Sequence, residues 1–375
     1  MKKDYLQSLI VICIFILLVL LLFNLFNIFS LKPKIEKRLI EIKNLSKPAE
    51  LELIRIETNC VDCFNIGDVI QKLQNSDRIK IIKNSSIDFS ESEAKELIEK
   101  YGIEKLPTIV LKGEINKTSL QGFKEKAGAL IFTEIEPPYI DAKTMETIGK
   151  VNAIIVSDEN CKVCPDLTIA IRQLQQNKVI FADVKYLDYK SNEAKEFINN
   201  FDIKRVPALF LSNDIQVYSL WQQLKDAFAF KENYYFIESP APYVETETGR
   251  IKGLVDLIMI TDKACQSCYN VSVNKQILAR FGVVINSENT YDANSDKAKE
   301  LISKYKIEKV PTILLSPEAN VYDALVTVWP QVGSLEEDGW FVMRKPEVVG
   351  IVKDLTTNEL IDLSSQNATN SAKEK

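Results

Sequence analysis

Six of the seven cysteines in this 375-residue chain fall into three Cys-x-x-Cys pairs: Cys60 with Cys63, Cys161 with Cys164, and Cys265 with Cys268. Two thiols at this spacing suit thiol–disulfide exchange, in which one thiolate attacks a disulfide and the other resolves the mixed disulfide and releases the product. Metal ligation is the rival chemistry. A zinc site usually brings its second pair within about 15–20 residues, whereas here the pairs recur 101 and 104 residues apart and the chain has no histidine. No metal and no cofactor beyond the cysteine pairs is therefore expected, and purely structural disulfides stand as the second reading.

Each pair is followed at a nearly fixed distance by a Leu-Pro or Val-Pro step. The interval is 47 residues from Cys60 to Pro107 and 46 from both Cys161 to Pro207 and Cys265 to Pro311. Residues 94–108 (AKELIEKYGIEKLPT), 194–208 (AKEFINNFDIKRVPA) and 298–312 (AKELISKYKIEKVPT) repeat one another, the first and third agreeing at twelve of fifteen positions. Such self-similarity marks a triplicated unit of ordinary domain size. The expected domains are 50–140, 141–244 and 245–353.

The elements that must hold the cysteines recur in the same order. Residues 51–56, 152–156 and 254–260 are short apolar runs rich in branched side chains, the pattern of strands buried on both faces. After each cysteine pair, 66–73, 167–174 and 271–278 space apolar residues near the helical period. Each pair thus falls where a strand hands over to a helix, and a thiolate at a helix start gains from the dipole and free N–H groups. A second strand is visible at 179–184 and 281–285, the Ala-Lys-Glu segment is helical, and 108–111, 208–211 and 312–315 give a third strand. Residues 112–129 and 216–231 should hold a further hairpin strand and a closing helix. Each repeat also places an acid three residues before its first cysteine: Glu57, Asp158 and Asp262. A carboxylate there can accept the resolving thiol's proton, or simply cap the helix start.

Strand, Cys-x-x-Cys, helix, strand, helix, Leu/Val-Pro, strand: this order resembles the thioredoxin superfamily, and Tyr101-Gly102-Ile103-Glu104-Lys105-Leu106-Pro107-Thr108 is similar to the family's own segment there. The resemblance covers about 50–113, 150–212 and 254–316. It implies an α/β fold of three tandem thioredoxin-like domains, each a mixed central sheet flanked by helices; the N-terminal transmembrane helix expected before them is read from the apolar run 6–31 instead. It further implies cis Pro107, Pro207 and Pro311 beside the cysteines at the substrate-binding edge. Cys60, Cys161 and Cys265 would be the nucleophiles, and Cys63, Cys164 and Cys268 the resolving partners. The chain departs from the family in having Asn59, Asn160 and Ala264, not tryptophan, before the first cysteine.

Residues 6–31 carry no charge and are apolar enough to cross a bilayer as a helix, so a membrane anchor is expected there, followed by a charged stalk at 32–49. The basic residues after the anchor favour a cytoplasmic location for the three repeats. The cysteine usage favours the outside, which is the placement expected. Glu136-Pro137-Pro138-Tyr139 and Ser239-Pro240-Ala241-Pro242-Tyr243 read as proline-stiffened joints, and 354–375 as a disordered polar tail. With 47 basic against 52 acidic residues and a net charge of −5, the chain lacks a nucleic-acid footprint. The expected activity is protein thiol–disulfide oxidation or isomerisation, with protein thiols as substrates, a redox partner that recharges the pairs, and the lipid bilayer as neighbour. The alternative is a redox-inert chaperone or docking array.

Overall fold

The computed structural model describes residues 36–38 and 47–363. The expected anchor at 6–31, most of the stalk and the last residues of the expected tail lie outside the described residues. Among the described residues no helix is long and apolar enough to cross a membrane. The chain divides into two compact units between Gly149 and Lys150, the first holding repeat one and the second repeats two and three.

In the first unit a five-stranded sheet runs in the order Ile79–Asp88, Ala49–Glu57, Thr108–Gly113, Ala129–Phe132, Phe123–Lys126. The first two strands are parallel and the rest antiparallel. A parallel pair requires a crossover, and the helix Gly67–Gln74 supplies it. Side chains of the central strand alternate between two cores because the strand period is two. Leu51 and Leu53 pack with Ile66 and Leu73 beneath that helix, whereas Ile54 and Ile56 pack with Ala94, Leu97 and Tyr101 of the helix Ser92–Tyr101 on the other face. Burial on both faces is what made this strand a continuous apolar run in the sequence.

The second unit repeats the plan twice. Its sheets run Ile180–Asp188, Lys150–Ser157, Ala208–Ser212, Tyr234–Glu238, Ala229–Lys231, and Val284–Asp292, Leu254–Thr261, Thr312–Leu315, Phe341–Met343, Gly333–Leu335. Helices Thr168–Gln176 and Asn192–Phe201 flank one sheet, Val273–Arg280 and Asp296–Tyr305 the other. Three similar mixed α/β sheets are consistent with three tandem thioredoxin-like domains.

Several expectations need correction. In the first repeat no α-helix follows Tyr101 among the described residues up to Gly149, so the expected closing helix is absent there. In the second it shrinks to Trp221–Leu224. The proline-rich joints lead straight into strands: Tyr139–Asp141 pairs antiparallel with Lys105–Leu106 and turns back as Thr147–Ile148, and Tyr243–Glu245 does the same with Arg205–Val206 and Ile251–Lys252. Residues 141–148 and 245–252 therefore close the preceding repeat. The expected tail begins inside a third such hairpin, Val352–Asp354 with Leu360–Ile361, paired to Lys309–Val310. In this hairpin Leu360 is 53% exposed while Val352 is fully buried.

Candidate functional site at the cysteine turns

Strand register fixes where the cysteines stand. Ile56 faces Thr108, Val156 faces Ala208 and Ile260 faces Thr312, so the residue after each proline lies opposite the end of the first strand. The first cysteine follows four or five residues later, and in repeats one and two the cysteines pack in the cores that hold Leu106 and Val206, the residues before the prolines. The steps Leu106–Pro107, Val206–Pro207 and Val310–Pro311 are cis. All three cysteine pairs are closed disulfides with Cα atoms 5.4, 5.5 and 5.4 Å apart.

The pairs sit in turns, not on helices. Cys63 N–H donates to the Cys60 carbonyl, and Cys268 N–H to the Cys265 carbonyl, each at 3.4 Å. The helices begin at Gly67, Thr168 and Val273, which is seven, seven and eight residues after the first cysteine. The expected thiolate at a helix N-terminus is thus corrected: the dipole's positive end lies beyond the pair, where its field falls off within a turn. Side-chain oxygens of Asn65, Asp166 and Asn270, each two residues after the second cysteine, accept the N–H of Gly67, Thr168 and Ser272 at 2.8, 2.9 and 3.0 Å. Thr168 holds the Asp166 carboxyl below its ordinary value through hydroxyl and N–H bonds. The recurring Cys-x-Asn/Asp spacing was the sequence signal for these residues.

The three acids do not form one set. Glu57 faces Asp88 as the last rung of its ladder, the rung held elsewhere by Ser157 and Thr261. Its carboxylate pairs with Arg55 at 3.1 Å. Asp158 and Asp262 lie one residue further on, and their backbone carbonyls accept the N–H of Cys161 and Cys265, each at 3.0 Å. The Asp158 side chain accepts from Asn160 N–H at 2.9 Å and lies 3.8 Å from Lys190. Asp262 is 5% exposed, accepts from Ala264 N–H at 2.9 Å and pairs with Lys353 at 2.8 Å. The Lys353 bond holds its carboxyl below the usual range against the opposing effect of burial. Lys162 directs its ammonium to the Glu159 carbonyl at 2.7 Å.

The closing hairpins reach the same place. Phe64 N–H donates to the Pro138 carbonyl at 2.8 Å and Tyr269 N–H to the Ile351 carbonyl at 2.9 Å. The equivalent residue of repeat two is Pro165, which has no N–H to give. Tyr269 also donates to the Pro311 carbonyl at 3.3 Å, and Asn274 donates to its hydroxyl at 3.2 Å. Burial pushes the Tyr269 phenol up to about 12. Sequence reasoning missed the hairpins, although a signal existed: Asp141, Glu245 and Asp354 each precede a threonine by three residues, and Met145, Gly249 and Asn358 then take positive φ of 61, 67 and 61°.

Exposure differs between the sites. Val61, between the first pair, is 93% exposed and Val163 43%, while Cys161 itself is only 8% exposed. The other five paired cysteines are partly exposed. Cys60 and Cys63 pack against the core that contains Leu106 and Ile140, and Cys161 lies in the one containing Val206 and Val244. Among the described residues no group of three or more cysteine, aspartate or glutamate side chains is placed to hold a metal ion.

No protein-family model matches the chain, and no curated protein does. Similar solved structures include ERdj5 form II, 13% identical over 72% of this chain with a TM-score of 0.15. The chain spans 37% of the ERdj5 chain. The alkylhydroperoxide reductase AhpF of Enterococcus faecalis is 18% identical over 47% of this chain and 88% of its own, TM-score 0.15. Human ERp44 form II is 13% identical over 73% and 77%, TM-score 0.13. TM-scores this low carry no weight beside the strand order and register described above.

Proposed function

We propose that this protein is a thiol–disulfide oxidoreductase working through three Cys-x-x-Cys sites, anchored in a membrane by residues 6–31 with its repeats outside the cytoplasm. The observation that carries the reading is the threefold recurrence of a closed cysteine pair in a turn at the end of the first strand, beside a cis-proline segment. In the oxidising direction a substrate thiolate attacks Sγ of Cys60, the Cys60–Cys63 bond breaks, and Cys63 leaves as a thiolate. A second substrate thiolate then attacks the substrate sulfur of the mixed disulfide and expels Cys60. The substrate loses two electrons and gains a disulfide, and its two protons end on Cys60 and Cys63. Cys161 with Cys164 and Cys265 with Cys268 take the same parts, and a disulfide of higher potential on a redox partner restores each pair. Pro107, Pro207 and Pro311 line the approach to the sulfurs. Asp158 and Asp262 hold the turn through their carbonyls, and the pairing of Asp262 with Lys353 suits a structural part better than a base.

The burial of Cys161 favours the second reading, an inert disulfide, for repeat two alone. The test is the redox potential of each pair in glutathione buffers, read by mass spectrometry. Exchange-competent pairs equilibrate within the range of about −120 to −270 mV spanned by working oxidoreductases. Pairs that stay oxidised below about −300 mV are staples and sink the enzyme reading.

A further inference from the structure

We infer that the hairpin closing each repeat occupies the backbone edge beside its cysteine pair, so that these sites exchange with compact, low-molecular-weight dithiols and not with extended polypeptide. This rests on the exchange reading above and names its substrate class.

An extended polypeptide docks most readily by adding a strand to an exposed backbone edge. The segment immediately before the proline has one side of its backbone paired with the closing hairpin in all three repeats. Lys105 and Leu106 face Asp141 and Ile140, Arg205 and Val206 face Glu245 and Val244, and Lys309 and Val310 face Asp354 and Lys353. One residue further back, the carbonyls of Glu104, Lys204 and Glu308 accept the N–H of Ala142, Thr246 and Leu355 at 2.9, 2.9 and 2.7 Å. In repeats one and three the hairpin is tied on its other side to the residue after the second cysteine, through Phe64 and Tyr269. It therefore spans the ground between the cysteine turn and the proline segment. It is no loose strap: Ile140 is 4% exposed, Ala142 4%, and Val244 and Val352 are fully buried. Lys353 adds its ion pair to Asp262 within the third cysteine turn. What stays open is the outer face of the turn, where Val61, Asp62, Lys162, Val163, Gln266 and Ser267 are exposed. That face admits a pair of thiols on a short carbon frame without offering a backbone to pair with.

The test uses the oxidised full chain in single turnover against dithiothreitol and against an unstructured peptide carrying a Cys-x-x-Cys dithiol. Variants in which two pairs are changed to serine, such as Cys161→Ser and Cys164→Ser with Cys265→Ser and Cys268→Ser, report one repeat at a time. The peptide is expected to react no faster per thiolate than dithiothreitol, with a rate linear in concentration and unaffected by excess thiol-free peptide. A peptide rate about tenfold higher that saturates and is competed by the thiol-free peptide overturns the inference. Hydrogen exchange with the thiol-free peptide supplies a readout that needs no redox turnover. Unchanged protection at 104–106 and 139–142, and at their counterparts, supports the filled edge. Exchange that changes there on peptide addition refutes it. If neither dithiol is oxidised while exchange is unchanged, the filled edge stands and the proposed function falls.

Discussion

Asp262 shows how a single residue's role depends on register more than on distance from a motif. Counted back from the cysteine it matched Glu57 and Asp158, yet the ladder sets Glu57 on the strand and the two aspartates in the turn. Its carboxyl lies below its unfolded value because Lys353 bonds to it. A depressed folded value means the pair's stabilisation is complete above the unfolded value of about 3.9 and is lost as pH falls through the folded one. Lys353→Met strands a carboxylate 5% exposed, so about 2 kcal/mol should be lost at pH 7, the buried-pair cost discounted for a partly exposed lysine. Urea titrations of variant and parent are expected to differ at pH 7 and to converge near pH 2. Equal midpoints at pH 7 would remove the pair from the account of the turn. The acids were legible in the sequence as residues, but their partners were not, because Lys353 lies 91 positions away.

At the scale of elements, the helix on each face of the first repeat's sheet carries a buried stripe that was readable. In Ser92–Tyr101 the residues Ala94, Leu97 and Tyr101 are buried at i, i+3 and i+7. Leu97→Ala should cost about 3 kcal/mol by chemical denaturation. The helix then ends in a left-handed residue, Gly102, Asp202 or Lys306, with φ of 54, 57 and 50°. Only glycine takes this conformation without a Cβ penalty, so Lys306→Gly should stabilise by about 0.5–1 kcal/mol once the freer unfolded chain is counted. Thermal melting checks the sign, and a lower midpoint would mean the lysine side chain contributes more than its strain. Central strands and these helices were legible because burial enforces their apolar patterns. The edge strand Ile79–Asp88 was not, since Lys80, Lys83 and Asn84 lie exposed along it. The hairpins escaped because each strand is only two or three residues long, too short for a period to show.

For the whole molecule, triplication was the firmest inference the sequence allowed; the cis step expected before the third strand recurs in all three repeats, and so do two features invisible in the sequence, the same ladder register and the same turn with a left-handed residue closing the repeat. The sites are nonetheless unequal. Repeat two buries its first cysteine and replaces the N–H that ties the turn to the hairpin with Pro165, whereas repeat three adds the Asp262–Lys353 pair and the Tyr269 hydroxyl. Reduction by a small dithiol should accordingly be slowest at Cys161–Cys164, by about tenfold or more, because a thiolate must reach a nearly closed sulfur. Equal rates at all three pairs would show that static burial does not control access. The most direct measurement is alkylation of each cysteine in the gently reduced full chain, followed across pH by mass spectrometry. Fast labelling of Cys60 and Cys265, with Cys63 and Cys268 protected, is the expected result. Slow labelling of all six, or labelling only after denaturation, would contradict a thiol–disulfide oxidoreductase and leave three disulfide-stapled domains.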